Sequence, residues 1–449
     1  MGQQFVHESL ETPVVGHYDV IVAGGGASGL IAALAAARLG ARTLMLERQG
    51  CLGGTATSAY VAQYVGFFHR DTQAVWGIPY ELTQRIVAAG GSNGFGAFMM
   101  GEAAANPLTI RHFPFNPEIV MTVMDELAGE AGIDLLLHAR VVDVVRAERM
   151  VKGVVVETIS GRKAYAARVI IDATGDAALA HRAGVDMLEG DVGRQPSTLC
   201  FRLSNVDVTG FRSLPREVKR AKVLTGLERG ELFWQSVSFV STPGGTDAIC
   251  LMSRIQDKDA LDDVDASDQE RIGRAQVKSI VAFLNREMPG FEKAILANIA
   301  HRVGVRETRR IAGQYTLTAD DILGERRFED AIALGCGPMD VHDPSGSGIA
   351  LSMPPAPFEI PMRCLVPKDV EGLLVTGRAI SATHAANGGA RHMATAMALG
   401  QAAGVMAAVA IDRANSTLSI PSARVQAGLR AQGAALCLDD CRALAEAHS

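Results

Sequence analysis

The seven cysteines of this chain form no framework. They are odd in number and scattered, at Cys51, Cys200, Cys250, Cys336, Cys364, Cys437 and Cys441. No C-x-x-C occurs, so neither a disulfide scaffold nor a structural zinc site is expected. The thiols read as small buried hydrophobes of a reducing compartment, and a cytoplasmic location follows. Positive charge is also short. The formal net charge is −6 over 449 residues, which gives no electrostatic case for nucleic acid as a partner. The first eight residues lack a basic run followed by an apolar one, so no signal peptide is read there. Two uncharged stretches, 20–37 and 393–411, are long enough to suggest membrane spans. The first carries four glycines, and the second is alanine-rich with Gly400 and Gly404 and has no aromatic anchors. Both read as buried helices, and no transmembrane segment is expected.

What is abundant is glycine, and the most telling glycines come early. Tyr18-Asp-Val-Ile-Val-Ala-Gly24-Gly-Gly26-Ala-Ser-Gly29-Leu30 reads as strand, tight turn and helix. Gly24 permits the turn, Gly26 lets backbone approach a pyrophosphate, and Gly29 lets helix and strand pack closely. The helix, predicted to about Leu39 with Gly40 as its stop, offers free N–H groups and a positive dipole end to phosphate. A second strand, 42–46, ends in Glu47, at the distance expected of a carboxylate that binds ribose hydroxyls. A dinucleotide site follows.

The pattern along the chain divides it. Residues 15–62, 111–190 and 350–412 read as one discontinuous α/β nucleotide-binding domain. Residues 63–110 and 191–349 read as a substrate or cap domain, with 61–110 an irregular, loop-rich insertion and long helices at about 268–287 and 290–310. Residues 413–449 read as a helical tail. Helical periodicity at 117–131 is followed by short β segments around 135–137, 141–145 and 153–157, a turn at Ser160-Gly161 and a strand at 164–172.

Four features choose FAD over NAD. They are the glycine doublet Gly53-Gly54-Thr55, the strand running into Ala173-Thr174-Gly175, the strand ending at Gly377-Arg378, and Gly388-Gly389 before a helix from about Met393. A long, two-ended cofactor uses both ends of such a span. These residues resemble the glutathione-reductase-type FAD fold: an FAD-binding Rossmann-like domain with an inserted α+β substrate domain. More narrowly, the chain resembles the FAD-dependent oxidoreductase family, distantly related to fumarate reductase and succinate dehydrogenase flavoproteins. The motifs are Cys51-Leu-Gly-Gly-Thr-Ala-Thr57, Gly304-Val-Arg-Glu-Thr-Arg-Arg-Ile-Ala-Gly313, Asp340-Val-His-Asp-Pro344, Ile360-Pro-Met-Arg-Cys-Leu-Val-Pro367, Gly377-Arg-Ala-Ile-Ser-Ala-Thr-His384 and 394–404.

The resemblance implies non-covalent FAD held by Gly24, Gly26, Ala27, Ser28, Gly29, Glu47, Arg48, Gly53, Gly54, Thr55, Val141, Ala173, Thr174, Gly175, Gly377, Arg378, Gly389, Met393 and Ala394. Many relatives have Gly-Asp where this chain has Gly377-Arg378. No second G-x-G-x-x-G marks a nicotinamide domain, and no C-x-x-x-x-C marks a disulfide reductase.

The flavin carries redox chemistry, and the protein supplies orientation and proton transfer. His384 and Arg391, in a loop before the last flavin helix, are expected as general acid/base and substrate anchor, with His392 and His342 as further candidates. Arg302, Arg306 and Arg310 share a predicted helix face, and Arg306 or Arg309 is expected to meet an anionic or polyhydroxylated substrate. The expected activity is hydride transfer between a small polar substrate and flavin N5. An NAD(P)H-dependent monooxygenase and a redox-neutral flavin protein are the alternatives. The electron acceptor and the oligomeric state stay open, a homodimer being the candidate assembly.

Overall fold

The computed structural model describes residues 7–100, 108–188, 195–344, 346, 348–412 and 416–448. The N-terminal hexapeptide read above lies outside them. β1 (Val14–Ala23) and β2 (Thr43–Leu46) are apolar strands, and the last four residues of β1 and all of β2 are buried. Such near-continuous apolar runs suit a parallel sheet covered on both faces. β3 (Asp134–Leu136), β4 (Arg140–Ala147), β5 (Met150–Thr158), β6 (Gly161–Asp172) and β7 (Leu373–Val375) complete a seven-stranded sheet.

β3, β2, β1 and β6 run parallel, with Val20 opposite both Thr43 and Val169. β6 then forks. Its first half pairs antiparallel with β5, which continues to β4, and its last residues pair parallel with β7, Asp172 opposite Val375. The carboxyl ends of β1, β2, β6 and β7 therefore converge, which is where open α/β sheets bind ligands.

α1 (Ala27–Ala37) packs against α2 (Met393–Asp412) through glycine. A Cβ on Gly400 would come within 2.1 Å of the Ser28 carbonyl oxygen, and one on Gly404 within 2.2 Å of that of Ala32. α2 is the one helix among the described residues that is long and apolar enough to cross a membrane, and it is mostly buried inside the fold. α1 ends at Ala37, two residues short of the expectation, and Gly40 turns the chain at φ +88°.

The cap is a four-stranded antiparallel sheet, in the order Phe239–Ser241, Ala248–Cys250, Phe201–Ser204, Ile295–Ile299. It is backed by the helix Asp263–Glu287, whose N-cap Asp262 accepts from Val264 and Asp265. Two expectations are corrected here. Residues 290–310 are not helical: Ile295–Ile299 is a β-branched edge strand, and Gly304 forms an antiparallel bridge to Thr198. Residues 61–110 are not merely loop. They hold the helix Ile78–Ala88 and a three-stranded sheet of Gln63–Val65, Leu108–Pro114 and Gly96–Met100. One buried apolar cluster runs from Leu30 and Ile31 through Phe113 to Phe283 and Phe291, joining cap and nucleotide domain.

Candidate active site

A single cavity of about 1190 Å³ runs from the glycine turn to the cap sheet. It exceeds the roughly 300–1,000 Å³ usual for one small ligand, so it has room for a long cofactor and a substrate.

At its nucleotide end the wall holds Gly24, Gly26, Ala27, Ser28, Glu47, Arg48, Gly54, Thr55, Val141, Ala173, Thr174, Gly175, Gly377, Arg378 and Met393, all expected cofactor residues. Gly26 tests the fit. A Cβ there meets nothing within 4 Å, because the space in front of it belongs to the cavity. Its φ of −66° and ψ of 179° are ordinary extended backbone. The requirement for glycine is thus the ligand's space and not the turn's dihedrals. Gly24 differs: it has φ +103°, and a Cβ would strike the Ala173 carbonyl oxygen at 2.4 Å.

Gly29, Gly53, Gly389 and Ala394 stand behind the wall. Gly29 lets α1 lie against the turn, since its Cβ would sit 1.8 Å from the Gly24 carbonyl oxygen. Gly53 bridges Gly26 and donates to the Gly25 carbonyl at 2.8 Å. Gly389 faces Met339 and Phe358, and Ala394 is fully buried.

Glu47 is buried, accepting from Gly25 N at 2.7 Å and Gln49 N at 2.8 Å. A carboxylate has about four acceptor sites, so capacity remains for ribose hydroxyls. Arg378 does not hang free. It donates to Asp176 at 2.7 Å and to the Val305 carbonyl at 2.9 Å, with Arg48 on the other side of Asp176 at 3.8 Å. Burial opposes ionisation of Asp176, yet Arg378 and Arg48 hold its carboxyl below the usual range. Arg302 completes this group and is pushed down to about 10 by burial and then by the Arg48 and Arg378 cations. Sequence reasoning missed Asp176 and Arg302 as site residues. Asp176 directly follows Ala173-Thr174-Gly175, a signal within reach.

At the cap end the wall holds Arg254, Arg306, His342, Arg391 and His392 beside Trp234, Phe211 and Phe239. The Arg254 guanidinium donates to Asp343, Gly346 and Gly348 carbonyls and to His342 Nδ1 at 3.2 Å, and lies over the Trp234 ring at 5.3 Å. An arginine only donates, so His342 Nδ1 accepts and its Nε2–H faces Asp340 Oδ1 at 3.2 Å. Burial, reinforced by the Arg306 cation, pushes His342 down to about 4; it is a neutral imidazole with both nitrogens engaged. Asp340 stays ionised despite burial, held by its His342 contact and by Arg391. Arg391 donates to the Asp340 carbonyl at 2.8 Å and to its carboxylate at 3.2 Å.

His384 is corrected in place. It opens a short helix, His384–Ala390, and is not in a loop. Its Nδ1 lies 2.9–3.0 Å from the Glu307 carboxylate, and it is absent from the cavity wall. Gln195 connects this pair to the wall, donating to Glu307 at 3.2 Å and accepting from Arg391 at 3.3 Å. Arg309 also lies off the wall, near His181, whose protonation is disfavoured by burial and then by the Arg309 cation. His392 is on the wall. Its Nε2 meets the Pro338 carbonyl at 2.8 Å and must donate, and burial lowers its pKa, with the Arg391 cation adding to this. The neutral tautomer therefore carries its lone pair on Nδ1.

Fold and cavity define an α/β dinucleotide-binding protein with a second, antiparallel sheet over the cavity. More closely, the chain belongs to the family described as FAD dependent oxidoreductase, which matches residues 19–429, and FAD is its cofactor. It is 30% identical over 203 residues to digeranylgeranylglycerophospholipid reductase 2 of Methanothermobacter thermautotrophicus, covering 42% of this chain and 48% of that protein. It is 28% identical over 171 residues to digeranylgeranylglycerophospholipid reductase 1 of Methanococcoides burtonii, covering 38% and 40%. The matches thus span about half the length of these relatives or less. A geranylgeranyl bacteriochlorophyll reductase-like protein of Thermoplasma acidophilum superposes with a TM-score of 0.49 at 15% identity, over 96% of this chain and 87% of that one. None of these three is a fumarate reductase.

Proposed function

We propose that this FAD-dependent oxidoreductase is a dehydrogenase or reductase that moves hydride between a small polar substrate and its flavin. One observation carries the reading: a single cavity joins the dinucleotide site to a second chamber lined by cations and by a neutral, buried histidine. Bound FAD would supply a two-electron hydride acceptor or donor.

The chain's residues supply the rest. The N-terminus of α1 and Gly26 receive the pyrophosphate, and Glu47 takes the adenosine ribose. In the second chamber His392 handles the proton at Nδ1, its ring fixed by the bond from Nε2–H to Pro338. Arg391 and His342, both tied to Asp340, fix the cationic wall beside it. The reductase names of the two sequence relatives support hydride transfer over oxygen insertion.

The test is anaerobic mixing of the yellow protein with small acids, alcohols and sugars, or of dithionite-reduced protein with unsaturated or carbonyl compounds. Bleaching or recolouring by one of them, without added nucleotide, supports the reading. Bleaching by NAD(P)H alone, with product formation tied to oxygen uptake, overturns it in favour of a monooxygenase.

A further inference from the structure

Arg306 is the unusual cation of the second chamber. Arg391 has the Asp340 carboxylate, and Arg254 spends its donors on three backbone carbonyls and His342. Arg306 uses only Nη1, which donates to the Pro196 carbonyl at 2.5 Å and to Thr198 Oγ1 at 3.0 Å. Its Nε and Nη2 have no protein partner among the described residues, and no carboxylate pairs with it there. Nε and Nη2 form one edge of a planar fork whose geometry matches a carboxylate in a bidentate pair. A guanidinium in a cavity wall with that edge unspent is costly unless something anionic completes it. Burial and the neighbouring Arg391 cation already push Arg306 down to about 10.

Part of the same chamber wall is aromatic and aliphatic, beside the hydroxyls of Ser236, Ser238 and Thr242. The Trp234 ring lies 5.4 Å from that of His342 and is half-buried, with one side on the cavity. Phe211 and Phe239 contact each other at 5.4 Å and line the same wall, with Val240 and Leu251 beside them.

We propose that the substrate is a carboxylic acid with an apolar body of aromatic size. Its carboxylate sits on the Nε–Nη2 edge of Arg306, and its body lies against Trp234 and Phe239. This assignment rests on the hydride-transfer reading, which it narrows from small polar compounds to this class.

The experiment titrates the FAD-loaded protein with matched probes and reads the perturbation of flavin absorbance, which needs no turnover. Phenylacetate, phenylacetamide, acetate and phenyl phosphate separate charge, body and anion type. Phenylacetate should bind at least tenfold more tightly than the amide, which lacks the charge, and than acetate, which lacks the body. Arg306→Gln should erase the preference over the amide, and Arg306→Lys should restore part of it, with FAD affinity unchanged in both. Because the probe comparison on the wild-type protein stands alone, a misfolded variant does not rescue the idea. Equal binding of amide and acid, or an unchanged preference in Arg306→Gln, overturns it. So does tighter binding of phenyl phosphate, which would make the ligand a phosphate ester. The same samples, mixed anaerobically, separate the two readings. Selective acid binding with no acid able to bleach the flavin keeps the ligand class and removes the hydride step. Bleaching by neutral compounds, indifferent to Arg306, does the reverse.

Discussion

The two ends of the cavity each gather arginines around an aspartate, half-buried Asp176 at one and buried Asp340 at the other, yet they are built differently. At the nucleotide end Asp176 pairs with Arg378 and faces Arg48, while the ligand's own space is left by glycine and backbone. At the cap end Asp340 pairs with Arg391 and meets His342, and among the described residues Arg306 is left with an unspent edge. The first end makes its ligand space from glycine and backbone and presents N–H groups. The second holds a side-chain cation that a ligand must complete. The comparison separates residues that make room from residues that make contact, and substitutions should split along that line.

The largest effect belongs to room. Gly26→Val should leave a folded protein with no measurable FAD at micromolar concentrations, a loss of about a thousandfold or more, ~4 kcal/mol. Its backbone angles admit valine, and its side chain would fill the pyrophosphate's space. Far-ultraviolet circular dichroism with released-flavin fluorescence checks both parts. A folded variant that stays yellow would place the phosphate elsewhere.

Next comes proton transfer at the cap end. His392→Ala should keep its colour and lose substrate-driven flavin reduction by about two to four orders of magnitude, the usual worth of a positioned acid or base. His384→Ala, off the wall and paired with Glu307, should lose far less. Stopped-flow reduction of the two variants decides between them, and the reverse ranking would return the role to His384.

Acid should act mainly on the cap end. The folded pKa of His342, about 4, lies below its ordinary 6.5. The unfolded chain therefore binds the extra proton between those values. Its contribution is complete above pH 6.5 and is lost as pH falls toward 4, at most about 3 kcal/mol. His112, pushed by burial to about 4, adds to the same window. The melting temperature should fall across pH 6.5 to 4, and His342→Gln should flatten that fall. An unchanged slope would show that the folded and unfolded chains bind a proton at His342 equally.

The smallest effect is a contact at the nucleotide end. Glu47→Ala should weaken FAD binding about tenfold, since a charge-assisted hydrogen bond is worth roughly 1.5–3 kcal/mol. It should also lower the melting temperature of the FAD-free protein, because Gly25 N and Gln49 N lose their acceptor. Equilibrium titration of the stripped protein with FAD measures the first, and unchanged affinity would remove Glu47 from the ribose.

The same division explains what could be read from the chain alone. The turn at Gly24, Gly26 and Gly29, and Glu47 after it, act through neighbours within a single β-α-β unit, so their order in sequence is their order in space. The cap end has no such shortcut. Arg254 acts through residues 88–94 positions away, and Asp176 meets Arg378 across 202. Nothing local marks Arg254 or Trp234. The regular spacing of Arg302, Arg306 and Arg310 suggested a helix, but Ile295–Ile299 gains more as a strand beside Phe201–Ser204. The arginines then fan out: Arg302 reaches toward Asp176, Arg306 enters the chamber, and Arg310 pairs with Glu307. The pairing of His384 is illegible for the same reason, because its partner Glu307 lies 77 positions away.

The seam between α1 and α2 has a consequence for how the protein is made. Ser28 and Ala32, beside the phosphate-binding turn, pack closely against Gly400 and Gly404, which lie far along the chain. A ribosome adding about 5–20 residues per second leaves the nascent nucleotide turn uncovered for roughly 20–70 s before α2 emerges. During that interval the apolar flank of α1 is open to chaperones, and the growing chain has no finished berth for flavin. Cofactor capture is thus a late event in biogenesis, waiting on the last large helix of the core.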